Sequence, residues 1–341
     1  MKAILVSAPM KFDLVECPHP KCGPGQVLIR TAFCGICGTD LEILRGSISP
    51  RFTRYPLVPG HEWTGVVVEV GREVEDCAVG DRVSVEGYLN CGACYHCKAG
   101  ETNLCESHEQ IGFTHNGGFG EYVVAPAKSC HRIPEHISLD EALLVEPAST
   151  VVRGIQRASP KPGFTAAVIG CGPIGQIAIR VLNLYEPSAV LAMDLSELQH
   201  SLATRAGATA FVSSLDISDL LRKSGTEARD VVVDCAGGSK AIGTALRIVK
   251  RGGNVVAIGG APEQDRVSFP ANLFVTKDVR IDGVFGYTTQ SWIHTLDLLT
   301  SGKLRLADLI THRLPLDEFS RAINLLQSRT EPLGKVIVTY E

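Results

Sequence analysis

The sequence predicts an α/β chain in two parts, a β-rich, barrel-like part first and a doubly wound parallel sheet after it. Three observations carry this expectation. Over roughly the first 145 residues, short apolar alternations are broken by frequent glycine and proline, the pattern of many short strands. From Thr165 onward, apolar runs alternate with amphipathic stretches. That alternation is the mark of βαβ units, whose parallel sheet is covered on both faces. Between the first such run and its helix lies the turn Gly170-Cys171-Gly172-Pro173-Ile174-Gly175.

In chain order, strands are expected at 2–7, 26–32, 64–70, 82–86 and 121–126. Near Ser138 the periodicity changes, and 140–157 reads as helix with an interruption at Pro147. Strands follow at 166–170, 189–194, 230–235 and 254–259, with helices at 173–185, 196–206, 217–224 and 239–250. The apolar run 279–284 is expected at the edge of the sheet, where an unpaired strand is a liability.

Length and composition bound the function. The chain has 341 residues, enough for two domains, and 45% of them are hydrophobic. A formal net charge of −4 argues against a nucleic-acid or membrane surface. No run of about 20 apolar residues spans a bilayer, and MKAILVSAPMKFDLVE lacks the apolar core of a secretion signal. Twelve cysteines without such a signal suggest a reducing cytoplasm, where thiols bind metal more often than they pair.

Four of those cysteines, Cys91, Cys94, Cys97 and Cys105, follow the spacing C-x2-C-x2-C-x7-C. Two-residue gaps let thiolates converge on one ion, and zinc takes four sulfurs at about 2.3 Å. Such a site has no open position and is structural. Disulfides or an iron–sulfur cluster are the alternatives. The glycine turn follows a strand and opens a helix, as a dinucleotide site requires. Gly170 permits the tight turn, Gly172 lets backbone approach a pyrophosphate, and Gly175 packs helix on strand. Pro173, followed by Ile174, suits the first helical turn. The next strand ends at Asp194, nineteen residues past Gly175. A carboxylate there accepts from both ribose hydroxyls of NAD and repels a 2′-phosphate. No arginine follows in Leu195-Ser196-Glu197-Leu198. Three further motifs are CGICGTD at 34–40, PGHE at 59–62 and VEP at 145–147. Together they offer a thiolate, an imidazole and carboxylates, the donors of a catalytic zinc that keeps one position open. Asp40 is placed to orient His61 through its second ring nitrogen.

With GGFGEY at 117–122 and GCGPIG at 170–175, these motifs resemble the zinc-dependent medium-chain dehydrogenase/reductase family, the alcohol and polyol dehydrogenases, over the full length. The resemblance implies a GroES-like catalytic domain split in sequence, residues 1–148 with 290–341, and a Rossmann domain at 149–289. It implies two zinc ions and NAD, and hydride transfer between NAD and a secondary alcohol or ketone. Cys37 and His61 match the family's zinc ligands. Glu146 matches the carboxylate of the sorbitol-like polyol branch, and Glu62 a glutamate able to join the metal. Thr39 matches the hydroxyl that takes the substrate proton. Glu42 stands where many relatives have a histidine ending the proton relay. Relatives assemble as dimers or tetramers.

Polyols, cyclitols and sugar alcohols are the favoured substrates on this resemblance. Threonine or amino alcohols are the alternative, and GHEW at 60–63 is similar to some aminocyclitol dehydrogenases. Glu42, Arg45, Phe52, His115 and Phe285 are expected around the substrate. A zinc-free reductase on the same fold, which lacks the cysteine sets, and a structural zinc protein are the competing functions.

Overall fold

The computed structural model describes residues 1–215, 228–261 and 264–340. The expected helix at 217–224 lies outside the described residues. Two sheets organise the rest. The first begins with the long strand Gln26–Ile36, which pairs antiparallel with Glu62–Val70 and with Tyr122–Pro126. Beyond Glu62–Val70 come Arg82–Val85 and Cys130–Arg132. On the other side Lys335–Thr339 joins Gln26–Ile36, and Ile310–Pro315 lies parallel beyond it. The last strand of the chain therefore sits beside one of the first. Ala3, Ile29, Trp63, Val67, Val83 and Val338 form the buried core here.

The second sheet has six parallel strands. In spatial order they are Ala210–Val212, Ala189–Met193, Thr165–Ile169, Arg229–Asp234, Val249–Ala257 and Arg280–Gly283. Numbered along the chain this is 3-2-1-4-5-6, the doubly wound order. Its inner strands Thr165–Ile169 and Ala189–Met193 read as apolar runs because both faces are covered. Ala166, Val168 and Val233 pack into one core, and Ala167, Ile169 and Val232 into another. Arg280–Gly283 is the edge strand, as the sequence leads one to expect.

Helix formation departs from expectation in two places. The stretch at 140–157 is broken at Leu143–Leu144, not at Pro147, into helices Leu139–Ala142 and Val145–Ala158. Pro147 falls in the first turn of the second helix, where its missing N–H has no helical partner to lose. The 196–206 stretch opens as a short 3-10 turn, Glu197–Gln199, before the helix His200–Arg205.

Three strands of the first sheet meet at one buried ion pair. Gly35 lies opposite Glu62 on one side and Ile337 on the other. Glu62 and Lys335 form an ion pair across it, their side chains 1% and 2% exposed. A methyl group on Gly35 would lie 2.3 Å from Glu62 Oε2 and 2.8 Å from Lys335 Cε. The missing side chain is thus the space the pair occupies. Gly35→Ala is expected to destabilise the fold by about 1–3 kcal/mol, as overpacking does. Gly38→Ala, whose methyl meets nothing within 4 Å, is the comparison. Thermal unfolding of both variants decides the matter: equal melting temperatures would remove the packing role of Gly35.

Candidate active site

Cys37 caps the helix Gly38–Arg45 at the end of the long strand. Its N–H donates to Asp40 Oδ2 at 2.8 Å, so the cap fixes Asp40 as it fixes Cys37. Asp40 is fully buried, and its Oδ1 faces His61 Nδ1 at 3.4 Å. Cys37, His61 and Glu62 each present a donor atom within 4.8 Å of the others. Asp40 Oδ1, His61 Nδ1 and Glu62 Oε2 are buried without an aligned hydrogen bond among the described residues. They are held by charge instead, as suits a site built around an ion. A thiol, an imidazole and a carboxylate converging beside a cavity fit zinc with an open position.

Burial alone would favour neutral His61. The Asp40 carboxylate and the Cys37 thiol outweigh it and hold the imidazole well above its usual range. Lys335 follows the same logic: burial disfavours its charge, but Glu62 and Cys37 raise it. Glu146, on helix Val145–Ala158, lines the same cavity but stands outside the three-donor cluster. Burial drives its carboxyl up to about 8, against the pull of His61.

The four-cysteine loop closes on itself through the short helix Tyr95–Lys98 and the turn Thr102–Leu104. The four sulfurs lie within 4.8 Å of one another, and Cys91 Sγ is 3.9 Å from Cys97 Sγ. Four sulfurs at about 2.3 Å from a tetrahedral ion stand about 3.8 Å apart. A disulfide needs about 2 Å, and all twelve cysteines are free. The N–H groups of Ala93 and Cys94 both donate to Cys91 Sγ at 3.4 Å and lower that thiol to about 6. Backbone N–H groups lower Cys94 as well, whereas burial raises Cys97 to about 12.

The glycine turn sits where the strand order reverses, between Thr165–Ile169 and Arg229–Asp234. Gly170 has φ +87°, and a side chain there would strike Ala236 after the neighbouring strand. A methyl on Gly175 would lie 1.8 Å from the Gly170 carbonyl, but one on Gly172 meets nothing within 4 Å. Two glycines serve close packing, and the third leaves open space at the start of helix Pro173–Asn183. Asp194 Oδ2 accepts from Cys171 N–H at 2.7 Å, and Oδ1 from Ser196 N–H at 2.9 Å. Its remaining lone pairs stay available for hydroxyls.

Two adjoining cavities join these parts. One, of about 170 Å³, runs from Cys37 and Glu62 past Gly172 and Pro173 to Asp194. Arg329, which no motif had singled out, lines it too. The other, of about 500 Å³, holds Cys37, Thr39, His61, Glu62 and Glu146 with Ile174, from the first turn of helix Pro173–Asn183, and Ile258, just past strand Val249–Ala257. Thr39 Oγ1 lies 3.6 Å from Cys37 Sγ. Glu42, Phe52 and Phe285 line this cavity as expected, but Arg45 and His115 do not. His115 turns away to Glu109 at 3.6 Å. Tyr88, His108, Gln110 and Phe113 complete the wall. These were missed because they sit on or just beside the two-residue strands Tyr88–Leu89 and Glu109–Gln110, a pair with no sequence motif.

Residues 23–135 match the alcohol dehydrogenase GroES-like domain, and residues 173–301 match the zinc-binding dehydrogenase domain. The chain is 32% identical over 333 residues to an L-threonine 3-dehydrogenase of Coxiella burnetii, covering 96% of each. It is 33% identical over 314 residues to a protein of Aspergillus fumigatus named Probable D-xylulose reductase A, covering 89% of this chain and 86% of that one. Among solved structures, one from Sinorhizobium meliloti 1021, described as a zinc-binding dehydrogenase and bound to NADP, matches with a TM-score of 0.91. The identity is 30%, with 99% of both chains covered. With a GroES-like part and a doubly wound parallel sheet in one chain, the protein belongs to the zinc-dependent medium-chain alcohol and polyol dehydrogenase family.

Proposed function

We propose that the protein oxidises a secondary alcohol of the polyol or cyclitol class to its ketone, with NAD reduced to NADH and one proton released. One observation carries this reading: the Cys37, His61 and Glu62 donors and the glycine turn with Asp194 open into adjoining cavities that share Cys37, Gly38, Glu62 and Ile174. Cys37, His61 and Glu62 would hold zinc, which would supply Lewis acidity toward the alcohol oxygen, and bound NAD would supply the hydride acceptor. The chain's own residues do the rest. Asp40 orients His61, Lys335 holds Glu62, and Thr39 takes the hydroxyl proton at its Oγ1 toward the cavity mouth. Glu146 stands by as the fourth donor of the polyol branch. Gly172, Pro173 and Ile174 receive the cofactor phosphates at a helix start, and Arg329 adds a positive charge to that cavity. The reading divides the chain at 1–148 with 290–341, and 149–289, and assigns it to the cytoplasm on its free thiols.

Two zinc ions per chain are expected, one at Cys37, His61, Glu62 and Glu146 and one at Cys91, Cys94, Cys97 and Cys105. Elemental analysis should give about two equivalents by ligand count, and Cys37→Ser should remove one. Cys97→Ser should lower the melting temperature or the soluble yield, because metal binding in a loop without its own core is folding free energy. A Cys97→Ser protein of unchanged stability and zinc content would refute the structural site.

Asp194 should set the cofactor. Asp194→Gly removes both ribose acceptors and the repulsion of a 2′-phosphate, so the NAD/NADP ratio of kcat/KM should fall. An unchanged ratio would mean that Asp194 does not read the ribose.

Thr39→Ala should cut kcat by about 10²–10⁴, the usual range for one positioned proton-transfer group. Its zinc content should stay intact. Thr39→Ser keeps the hydroxyl and should keep most of the activity. If both variants lose activity equally, the hydroxyl is not the acceptor.

A further inference from the structure

We propose that the substrate is an aminated member of that class, a secondary alcohol carrying an ammonium group and neither carboxylate nor phosphate. The inference rests on the dehydrogenase reading above and concerns what holds the rest of the molecule. The residues lining the 500 Å³ cavity include three carboxylates, Glu42, Glu62 and Glu146, and no lysine or arginine. Glu62 is paired with Lys335, and Glu146 is buried beside the metal donors. Glu42 is left over. It lies three residues after Thr39 on helix Gly38–Arg45, and so on the same face. It is exposed, and its carboxylate has no hydrogen bond or ion pair among the described residues.

Of the rings that line the same cavity, Phe52, Tyr88, His108 and Phe285 stand together. Ring centroids stand 5.6 Å apart for Phe52 and His108, 5.2 Å for Tyr88 and His108, and 5.8 Å for His108 and Phe285. Phe285 is 52% exposed, a large apolar face turned to open space. Gly286, at φ +57°, makes room for Tyr88: a methyl there would collide with the Tyr88 hydroxyl. Burial keeps His108 below its usual pKa, so this ring brings no competing charge near neutrality. Ring faces are negative and attract a cation within about 6 Å. The set already shows the preference on one member, since the Arg51 guanidinium stands 5.4 Å over Phe52.

The sign of the wall also excludes. Away from the metal donors, a carboxylate or phosphate on the substrate would meet the Glu42 carboxylate, with no lysine or arginine in the lining and the Arg51 guanidinium set over Phe52. Threonine itself and phosphorylated polyols are therefore disfavoured. A neutral polyol would gain hydrogen bonds from Glu42 and Gln110 but nothing from the rings.

The test compares matched alcohols with the zinc-loaded enzyme and NAD: 1-amino-2-propanol, 1,2-propanediol and threonine. The aminated alcohol should exceed the diol in kcat/KM by about tenfold, the scale of one desolvated cation–π contact with its carboxylate. Threonine should fall below both. Glu42→Gln should bring the amine-to-diol ratio down toward one. A binding measurement independent of turnover uses tetramethylammonium against tert-butyl alcohol, by calorimetry on the zinc-loaded protein with NADH. The cation should bind about tenfold tighter, and the Glu42→Gln protein should lose that preference. Equal kcat/KM for amine and diol, a preference for threonine, or equal binding of cation and alcohol would overturn the proposal and leave the dehydrogenase reading standing. Selective cation binding without any NAD reduction would do the reverse.

Discussion

The buried pair of Glu62 and Lys335 is the constraint around which the catalytic half is arranged. Taking two charges out of water is costly, and removing one partner leaves the other unpaired. Both must therefore arrive together. Glu62 comes from the strand that follows His61, and Lys335 from the last strand of the chain. Their meeting requires that the chain, having built the parallel sheet, return to the first sheet and pair beside Gln26–Ile36. It also requires glycine at position 35, where any side chain would fill the space. The pair then sets what the site can do. Glu62 presents a donor atom to Cys37 and His61 and is paired with Lys335, so the donor cluster and the C-terminal strand share one carboxylate.

The rest of the site follows from where strands end. Cys37 stands at the end of the long strand, and His61 at the start of its neighbour. The cap of the helix Gly38–Arg45 delivers Thr39, Asp40 and Glu42 from a single turn. Thr39 and Glu42 share the cavity face, and Asp40 points inward to His61. On the facing side, the parallel sheet brings Ile174 from the helix start at the point where strand order reverses, and Ile258 from beyond the strand Val249–Ala257. Such crevices are where open α/β sheets bind ligands. The cavity between is therefore a product of two sheets, lined from strand ends, helix starts and the loops beside them.

The motifs were legible because each is short-range chemistry. The cysteine spacing lets sulfurs converge within one loop, and the structure brings them within 4.8 Å. The glycine turn needs only the strand before it and the helix after it. The run 140–157 was harder: a proline inside an apolar period looks like a break, but here it begins a helix. Arg45 and His115 were expected near the substrate and fell elsewhere: Arg45 ends the helix Gly38–Arg45 outside the cavity lining, and His115 turns to Glu109. Tyr88, His108 and Arg329 left no local signal at all.

The sequence by itself determined the fold class, both candidate metal sets and the dinucleotide turn with Asp194, since these rest on spacings of a few residues and on hydrophobic period. Tertiary structure alone decided which carboxylates stand together. Glu62 joined Cys37 and His61, and Glu146 remained on the wall. It also decided that Lys335, more than 270 positions from Glu62, would be its counter-charge. Among the described residues it left Glu42 without one, in a cavity that Phe52, Tyr88, His108 and Phe285 also line. Pairings of this kind depend on three-dimensional proximity between strands far apart in the chain, and no local pattern records that proximity.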